Sequence, residues 1–182
     1  MTNNANSCKI FVEFYSCLHY TKIKGSELMI TIDDVIEGME FQSEDSHYYY
    51  HVKSKSVVML TEEEIRYAEN EVDLDRLPEW QREGVLLANE LIDNPDGAFI
   101  DLPSKEDIDE YRMMEGFIMT IDDEKASSVL WEAIEGRGAF RRFKDKVHQY
   151  DLQDAWYGYR DARYEEIAME WCKTHHIEYR KK

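Results

Sequence analysis

The stretch that decides the fold of the C-terminal part reads GRGAFRRFKDKVHQY and occupies residues 136–150. Its two glycines, Gly136 and Gly138, interrupt the preceding helical pattern, because glycine is unfavourable inside a helix and tolerates the turns that end one. The residues after them predict a helix over 139–150. Its spacing places four apolar side chains on one buried face, namely Phe140, Phe143, Val147 and Tyr150.

A different face of this predicted helix is basic. Cations recur at spacings of four, three and four residues, namely Arg137, Arg141, Lys144 and His148. A helix start attracts anions through its unpaired N–H groups and its dipole, and glycine lets a ligand approach the backbone. We therefore predict an anion site suited to phosphate, whose oxygens arginine binds in pairs. With two arginines of the last helix, its predicted members are Arg137, Gly138, Arg141, Arg142, Lys144, Arg160 and Arg163.

The charge of the chain divides at Gly136. The 182 residues include 22 basic and 39 acidic side chains, a net charge of -17. Residues 29–136 hold 8 basic and 29 acidic side chains, net -21, whereas residues 137–182 hold 11 basic and 8 acidic, net +3. The excess of acidic side chains excludes a protein whose whole surface binds nucleic acid, since the phosphates would be repelled. The many carboxylates also provide an alternative to ligand binding, in which the arginines pair with them within the protein and fix the packing.

The cysteines and the hydropathy bear on the compartment. Three cysteines without a disulfide framework, Cys8, Cys17 and Cys172, indicate a reducing environment. No stretch approaches the roughly 20 apolar residues that a membrane helix needs. We therefore expect a cytoplasmic protein without a membrane partner.

The rest of the chain predicts an α+β fold, mostly helical with one small antiparallel β-hairpin or sheet. Thr31 is a predicted helix cap, and Thr61 with Glu64 forms a predicted capping box. Two β-rich runs, residues 47–52 and 57–60, flank a short polar link and predict the hairpin. Several helices are expected to follow: one starts at Pro103 and Ser104 and continues to Ile118, the next starts at Thr120, and the last runs from Leu152 to about Lys173.

The predicted domain organisation has two parts. Residues 1–28 are expected to be an N-terminal extension, which is not native if translation starts at Met29; the alternative is an ordinary N-terminal strand over residues 10–15. Residues 29–182 are expected to form a single helix-rich domain, with an acidic body over 29–136 and a basic helical tail over 137–182.

Several segments resemble a known family. They are GRGAFRRFKD (136–145), WY (156–157), RD (160–161), IAMEW (167–171), DEYRMMEGFI (109–118) and MITIDD (29–34). Together they resemble uncharacterised protein family 0158, a bacterial family of unknown function, over about residues 29–179. The resemblance implies no agreed activity, substrate or cofactor.

Metal and cofactor sites find little support in the sequence. Cys172, His175 and His176 lie close together but lack a fourth ligand, so we expect packing or solvated roles. His47 and His51 would lie about 13 Å apart on a strand, too far to share a metal. No cofactor motif is present, so neither a metal nor a cofactor is predicted.

Three functions remain open from the sequence. The favoured one is a binding or regulatory protein whose basic face at residues 137–163 holds a phosphate-bearing ligand or nucleic acid. The second is an interaction module, in which the acidic body binds a basic protein or mimics nucleic acid. The third is a hydrolase or transferase acting on a phosphorylated substrate. A non-enzyme is favoured because no nucleophile and base can be paired, and no catalytic residue is assigned.

Overall fold

The computed structural model describes residues 29–93 and 97–181, which are mostly helical. The helices are α1 (Ile32–Phe41), α2 (Glu62–Glu69), α3 (Glu79–Asp93), α4 (Lys105–Ile108), α5 (Glu110–Ile118), α6 (Glu124–Ile134), α7 (Ala139–Gln149) and α8 (Gln153–Thr174). The strands are β1 (Ile30–Thr31), β2 (Ser46–His51), β3 (Ser56–Thr61), β4 (Phe99–Asp101) and β5 (Tyr179–Arg180). The predicted α+β class is confirmed. The predictions for residues 1–28 lie outside the described residues.

The predicted hairpin is the centre of a three-stranded antiparallel sheet. Strand β2 pairs with β3, with Tyr49 opposite Val58, and its other edge pairs with β4, with Tyr50 opposite Ile100. A second, parallel pair joins β1 to β5, with Ile30 opposite Tyr179. The beginning and the end of the described chain therefore lie side by side.

Local capping chemistry starts several helices where the sequence predicts it. Thr31 and Asp34 form a full capping box at α1, and Thr61 and Glu64 form one at α2. In each box the first side chain accepts from a backbone N–H that lacks a helical partner, and the second carboxylate accepts from the cap residue. Strand β1 therefore passes directly into α1, and strand β3 passes directly into α2.

The main core lies where α5, α7 and α8 meet. The ring of Trp156 contacts Phe143 and Phe117 edge to face, with centroids 4.8 and 5.3 Å apart. Trp171 of α8 is buried, and its indole N–H donates to the carbonyl of Asp101 at 2.9 Å, which ties α8 to β4. A smaller core beneath β3, α2 and α3 contains Leu60, Ala68, Leu77, Val85 and Ala88.

The structure differs from the sequence-based predictions at two helix boundaries and in the burial of Phe140. The helix predicted after Pro103 is two helices, because Asp109 adopts a φ of +44° that ends α4 and its side chain caps α5. The helix predicted from Thr120 begins at Glu124, with Asp123 as its cap. Phe140, predicted in the core, is 44% exposed, because α7 buries the stripe of Ala139, Phe143 and Val147 and Phe140 lies at its edge.

Candidate functional site

Three cations at α7 make up what we call the basic face: Arg137, Arg141 and Lys144. All three are exposed, and Arg137 lies just before the helix, which begins after its cap Gly138. Within residues 29–93 and 97–181, their side chains make neither a hydrogen bond nor an ion pair. His148, the fourth predicted cation of this face, contacts the side-chain amide of Gln153. Within the described residues, the side chains of the basic face therefore make no polar contact that would hold the fold together.

Arg142, the neighbour of Arg141, turns toward the protein instead. Its Nε donates to the carbonyl of Ala133 at 3.0 Å, and its two terminal nitrogens donate to the carbonyls of Glu135 and Arg137. These carbonyls lie at and just beyond the end of α6, where helical partners are missing. The guanidinium therefore closes the turn between α6 and α7 and has few donors left for a ligand.

Gly138 belongs to the same turn. Its φ is +78°, and a β-carbon built on it would lie 3.2 Å from a terminal nitrogen of Arg142. Glycine is needed there both for the left-handed backbone and for the approach of that guanidinium. No side chain caps α7, so its first N–H groups have no side-chain partner.

Arg160 of α8 is held in a network of carboxylates. Its terminal nitrogen lies 2.9 Å from Glu40 and 3.7 Å from Asp161, and its Nε lies 3.6 Å from Glu110. Its guanidinium also lies over the ring of Tyr164, 4.4 Å from the centroid. Burial lowers the pKa of Arg160, but the hydrogen bond that it donates to Glu40 and the nearby negative charges outweigh this effect and leave the pKa raised. This arginine joins α1, α5 and α8.

The remaining predicted member, Arg163, forms an ion pair with Glu166 one turn later in α8. The six charged residues among the seven predicted members therefore separate into two groups, and Gly138 belongs to the turn that Arg142 closes. Arg142, Arg160 and Arg163 are engaged within the protein, whereas the basic face is free among the described residues. The pairing alternative that the sequence left open describes the first group and not the second.

A cleft of about 250 Å³ lies beside the basic face, between α7 and α8. Its lining residues are Glu110, Met114, Phe140, Phe143, Lys144, Trp156, Tyr157 and Arg160. Phe140 and Tyr157 are 44% and 53% exposed. The cleft could not be predicted from the sequence, because the helical spacing placed Phe140 in the core and no pattern marked Tyr157.

A larger groove of about 640 Å³ lies between α1 and α8. Its lining includes the small residues Gly158 and Ala162 and four carboxylates, Asp33, Glu40, Asp161 and Glu165. Glu165 pairs with Lys181 at 2.8 Å, and Glu40 pairs with Arg160, so part of this negative charge is already compensated. No sequence motif marks the groove, since its two helices are far apart in the chain.

The histidines and the described cysteine do not assemble a metal site. Over residues 29–93 and 97–181, no group of three or more His, Cys, Asp or Glu side chains is placed to hold a metal ion. Burial raises the pKa of Cys172 to about 11, so its thiol stays protonated, while His175 and His176 are exposed. His47 pairs with Glu62 at 2.8 Å instead of approaching His51.

His51 does contact a hydroxyl, which bears on an enzymatic role. Its Nδ1 lies 2.8 Å from Oγ of Ser54, and its Nε2 lies 3.5 Å from Glu90. However, the ring is only 5% exposed, is stacked on Phe99 at 4.7 Å, and lines neither of the two cavities described above. Neither of these two cavities therefore brings a substrate to this pair.

Among the helices of residues 29–93 and 97–181, none combines the length and the apolar character required to cross a membrane.

Comparison with known proteins identifies a family. The model of a family described as "Uncharacterised protein family (UPF0158)" matches residues 26–182. A Pseudomonas aeruginosa protein, UPF0158 protein PA5073, is 28% identical over 67 residues, which are 36% of this chain and 44% of that protein. The match thus spans less than half of the relative's length. No solved structure matches the chain.

Proposed function

The chain belongs to the uncharacterised protein family UPF0158, and we propose that it is a binding protein whose basic face holds a phosphate-bearing ligand. The observation that carries the proposal is the unpaired state of Arg137, Arg141 and Lys144. With 39 acidic side chains against 22 basic ones, a cation in this protein has many potential partners. Arg142, Arg160 and Arg163 all have partners within the protein, and the basic face does not.

The chemistry of the basic face suits phosphate. The planar fork of arginine binds two phosphate oxygens at once, and lysine adds a mobile point charge. The uncapped start of α7 contributes backbone N–H groups and the positive end of the helix dipole in the same place. Arg141 and Lys144 are three residues apart on α7, and Arg137 lies just before its uncapped start.

The charge of the remaining protein favours a short ligand over a long nucleic acid. The acidic body, residues 29–136, has a net charge of -21. At physiological salt, charges are screened over about 8 Å. A ligand of one or two phosphates experiences mainly the basic face, whereas a long strand would also lie against the acidic body and be repelled.

The proposal is tested by titrating the full chain with inorganic pyrophosphate and with a single strand of about 12 nucleotides, by calorimetry. Pyrophosphate should bind, and the double variant Arg137→Ala, Arg141→Ala should lose about tenfold or more in affinity, since each charge-assisted hydrogen bond contributes about 1.5 kcal/mol or more. Both positions are exposed and unpaired, so the melting temperature should change little.

Arg112→Ala is the matched control, because Arg112 is an exposed arginine on α5, outside the basic face. It changes the net charge in the same direction and should leave affinity unaltered. Equal losses in Arg112→Ala and a single Arg141→Ala would reduce the effect to net charge and contradict the proposal. Absence of binding to both probes would contradict it as well. Tight binding of the single strand alone would show that the ligand is a polymer.

A second candidate is an interaction module that binds a basic segment, as the acidic body suggests. The groove between α1 and α8 supports it, because its lining combines small residues with carboxylates. A β-carbon on Gly158 would meet no atom within 4 Å, so Gly158→Leu would fill the groove without a clash at that carbon. Binding of an oligolysine peptide that this variant abolishes would favour the second candidate; binding that it leaves unchanged would exclude the groove.

A further inference from the structure

We infer that the ligand of the basic face is a nucleotide, whose base enters the cleft between α7 and α8. The inference rests on the proposed function, because the same cations hold the phosphate. It adds the class of the ligand and a second set of residues, the aromatic side chains Phe140 and Tyr157.

The cleft lies beside the basic face. Phe140 and Lys144 are four residues apart on α7, so they lie one above the other on the same side of the helix. Both line the cleft, and Lys144 belongs to the basic face. A phosphate held by Lys144 is therefore next to the opening, and a planar group attached to that phosphate can reach the rings.

Both aromatic residues are exposed at the cleft. Phe140 and Tyr157 are 44% and 53% exposed, although the buried Phe143 and Trp156 line the same cleft. Leaving two large rings partly in water forgoes favourable burial. A base that stacks on such a ring covers it, and one stacking contact strengthens nucleic-acid binding substantially. The volume of about 250 Å³ suits a single planar base with part of its sugar.

Glu110 lines the cleft and adds a hydrogen-bond acceptor to it. Glu110 accepts the hydroxyl of Tyr164 at 3.0 Å and contacts Arg160 at 3.6 Å, and both contacts involve the same oxygen, Oε1. Its other oxygen, Oε2, has no hydrogen bond among the described residues. An ionised carboxylate can only accept, so it suits the amino group of cytosine, adenine or guanine and would repel the carbonyl edge of uracil.

The test compares ligands that differ by one part at a time. Calorimetric titration of the full chain uses ribose 5-phosphate, which lacks a base, then cytidine 5′-monophosphate and uridine 5′-monophosphate. We expect the cytidine nucleotide to bind about tenfold more tightly than ribose 5-phosphate, as one stacking contact provides. We also expect it to bind more tightly than the uridine nucleotide, and Glu110→Gln should diminish that preference.

Variants of the rings separate the base from the phosphate. Phe140→Ala and Tyr157→Ala should each lower affinity for the cytidine nucleotide toward that of ribose 5-phosphate, and leave ribose 5-phosphate binding unchanged. Trp80→Ala is the matched control, because Trp80 is a 58% exposed aromatic residue on α3, outside the cleft. Phe140→Leu keeps the apolar volume without a ring and should resemble Phe140→Ala if stacking is the cause.

The outcomes distinguish the two proposals. Equal affinity of ribose 5-phosphate and both nucleotides would overturn the inference and leave the proposed function standing. Nucleotide binding that neither ring variant alters would also overturn it. If neither ribose 5-phosphate nor a nucleotide binds while pyrophosphate does, the inference fails and the proposed function stands; if pyrophosphate and the single strand do not bind either, both fail.

Discussion

Replacing Arg142 by alanine should destabilise the protein, whereas the same change at the neighbouring Arg141 should not. Arg142 donates three hydrogen bonds to carbonyls at the end of α6 and in the turn that follows. Arg141 makes none within the described residues. The two variants remove the same charge from adjacent positions of one helix, so the comparison isolates the hydrogen bonds.

The expected loss follows from the contacts of Arg142. A hydrogen bond contributes about 0.5–1.5 kcal/mol net, and the lower value applies to two of the three, which are exposed to water. A cation at a helix C-terminus contributes a further 0.3–1 kcal/mol or so. Together these give about 2–3 kcal/mol in the free energy of unfolding for Arg142→Ala, or about 5–10 °C in melting temperature for a chain of this size.

Urea denaturation monitored by circular dichroism measures the difference. Arg141→Ala should stay within about 0.5 kcal/mol of the original protein, as exposed substitutions usually do. Arg142→Lys should recover about half of the loss, because an ammonium keeps the charge but cannot donate to three fixed carbonyls. If Arg142→Ala also stays within 0.5 kcal/mol or so, or if Arg141→Ala loses as much, the assignment of the two arginines to different roles is wrong.

Two further predictions concern packing and pH. Gly158→Ala on α8 should stabilise the protein by about 0.5–1 kcal/mol, because the new methyl group meets open space and alanine favours a helix. Gly116→Ala on α5 should not stabilise it, because its methyl group would lie 2.3 Å from the hydroxyl of Tyr159. Equal gains of the two variants in thermal denaturation would contradict this prediction. Burial and the charge of Glu110 raise the pKa of Tyr164 to about 12 from 10.0, so its contribution to stability is complete below pH 10.0 and is lost as the pH rises toward 12. Tyr164→Phe should therefore flatten the fall of stability with pH in that interval, measured by urea denaturation, and an unchanged slope would refute it.

Elements whose causes lie within a few residues could be predicted from the sequence. The capping boxes at Thr31 and Thr61, the hairpin and the start of α7 after Gly138 all depend on neighbours in the chain. The break at Asp109 could not be predicted, since an aspartate in the left-handed region is uncommon and the surrounding helical pattern continues through it. The sequence therefore predicted helical structure on both sides of Asp109 correctly, but as one helix instead of two.

The roles of the cations depend on contacts that the sequence does not display. Arg160 meets Glu40 from the other end of the described chain, and no local pattern indicates that pairing. Arg141 and Arg142 differ because successive residues of a helix are rotated by about 100°. That rotation, with the turn at Gly136 and Gly138, directs one side chain to water and the other to the end of α6. Both residues are arginines in the same basic run, so the sequence alone does not distinguish their roles.

The position of the basic face also carries an energetic argument. A helix N-terminus is the positive end of the dipole, so Arg137 and Arg141, beside the start of α7, are at a place where cations are unfavourable. The first turn of α7 has no acidic residue to offset them. Stability alone would favour carboxylates there, as at the starts of α1 and α2. An anion bound at this point would reverse the sign of the interaction with both the side chains and the dipole, so the arrangement that costs the empty protein stability is the one that a phosphate would make favourable.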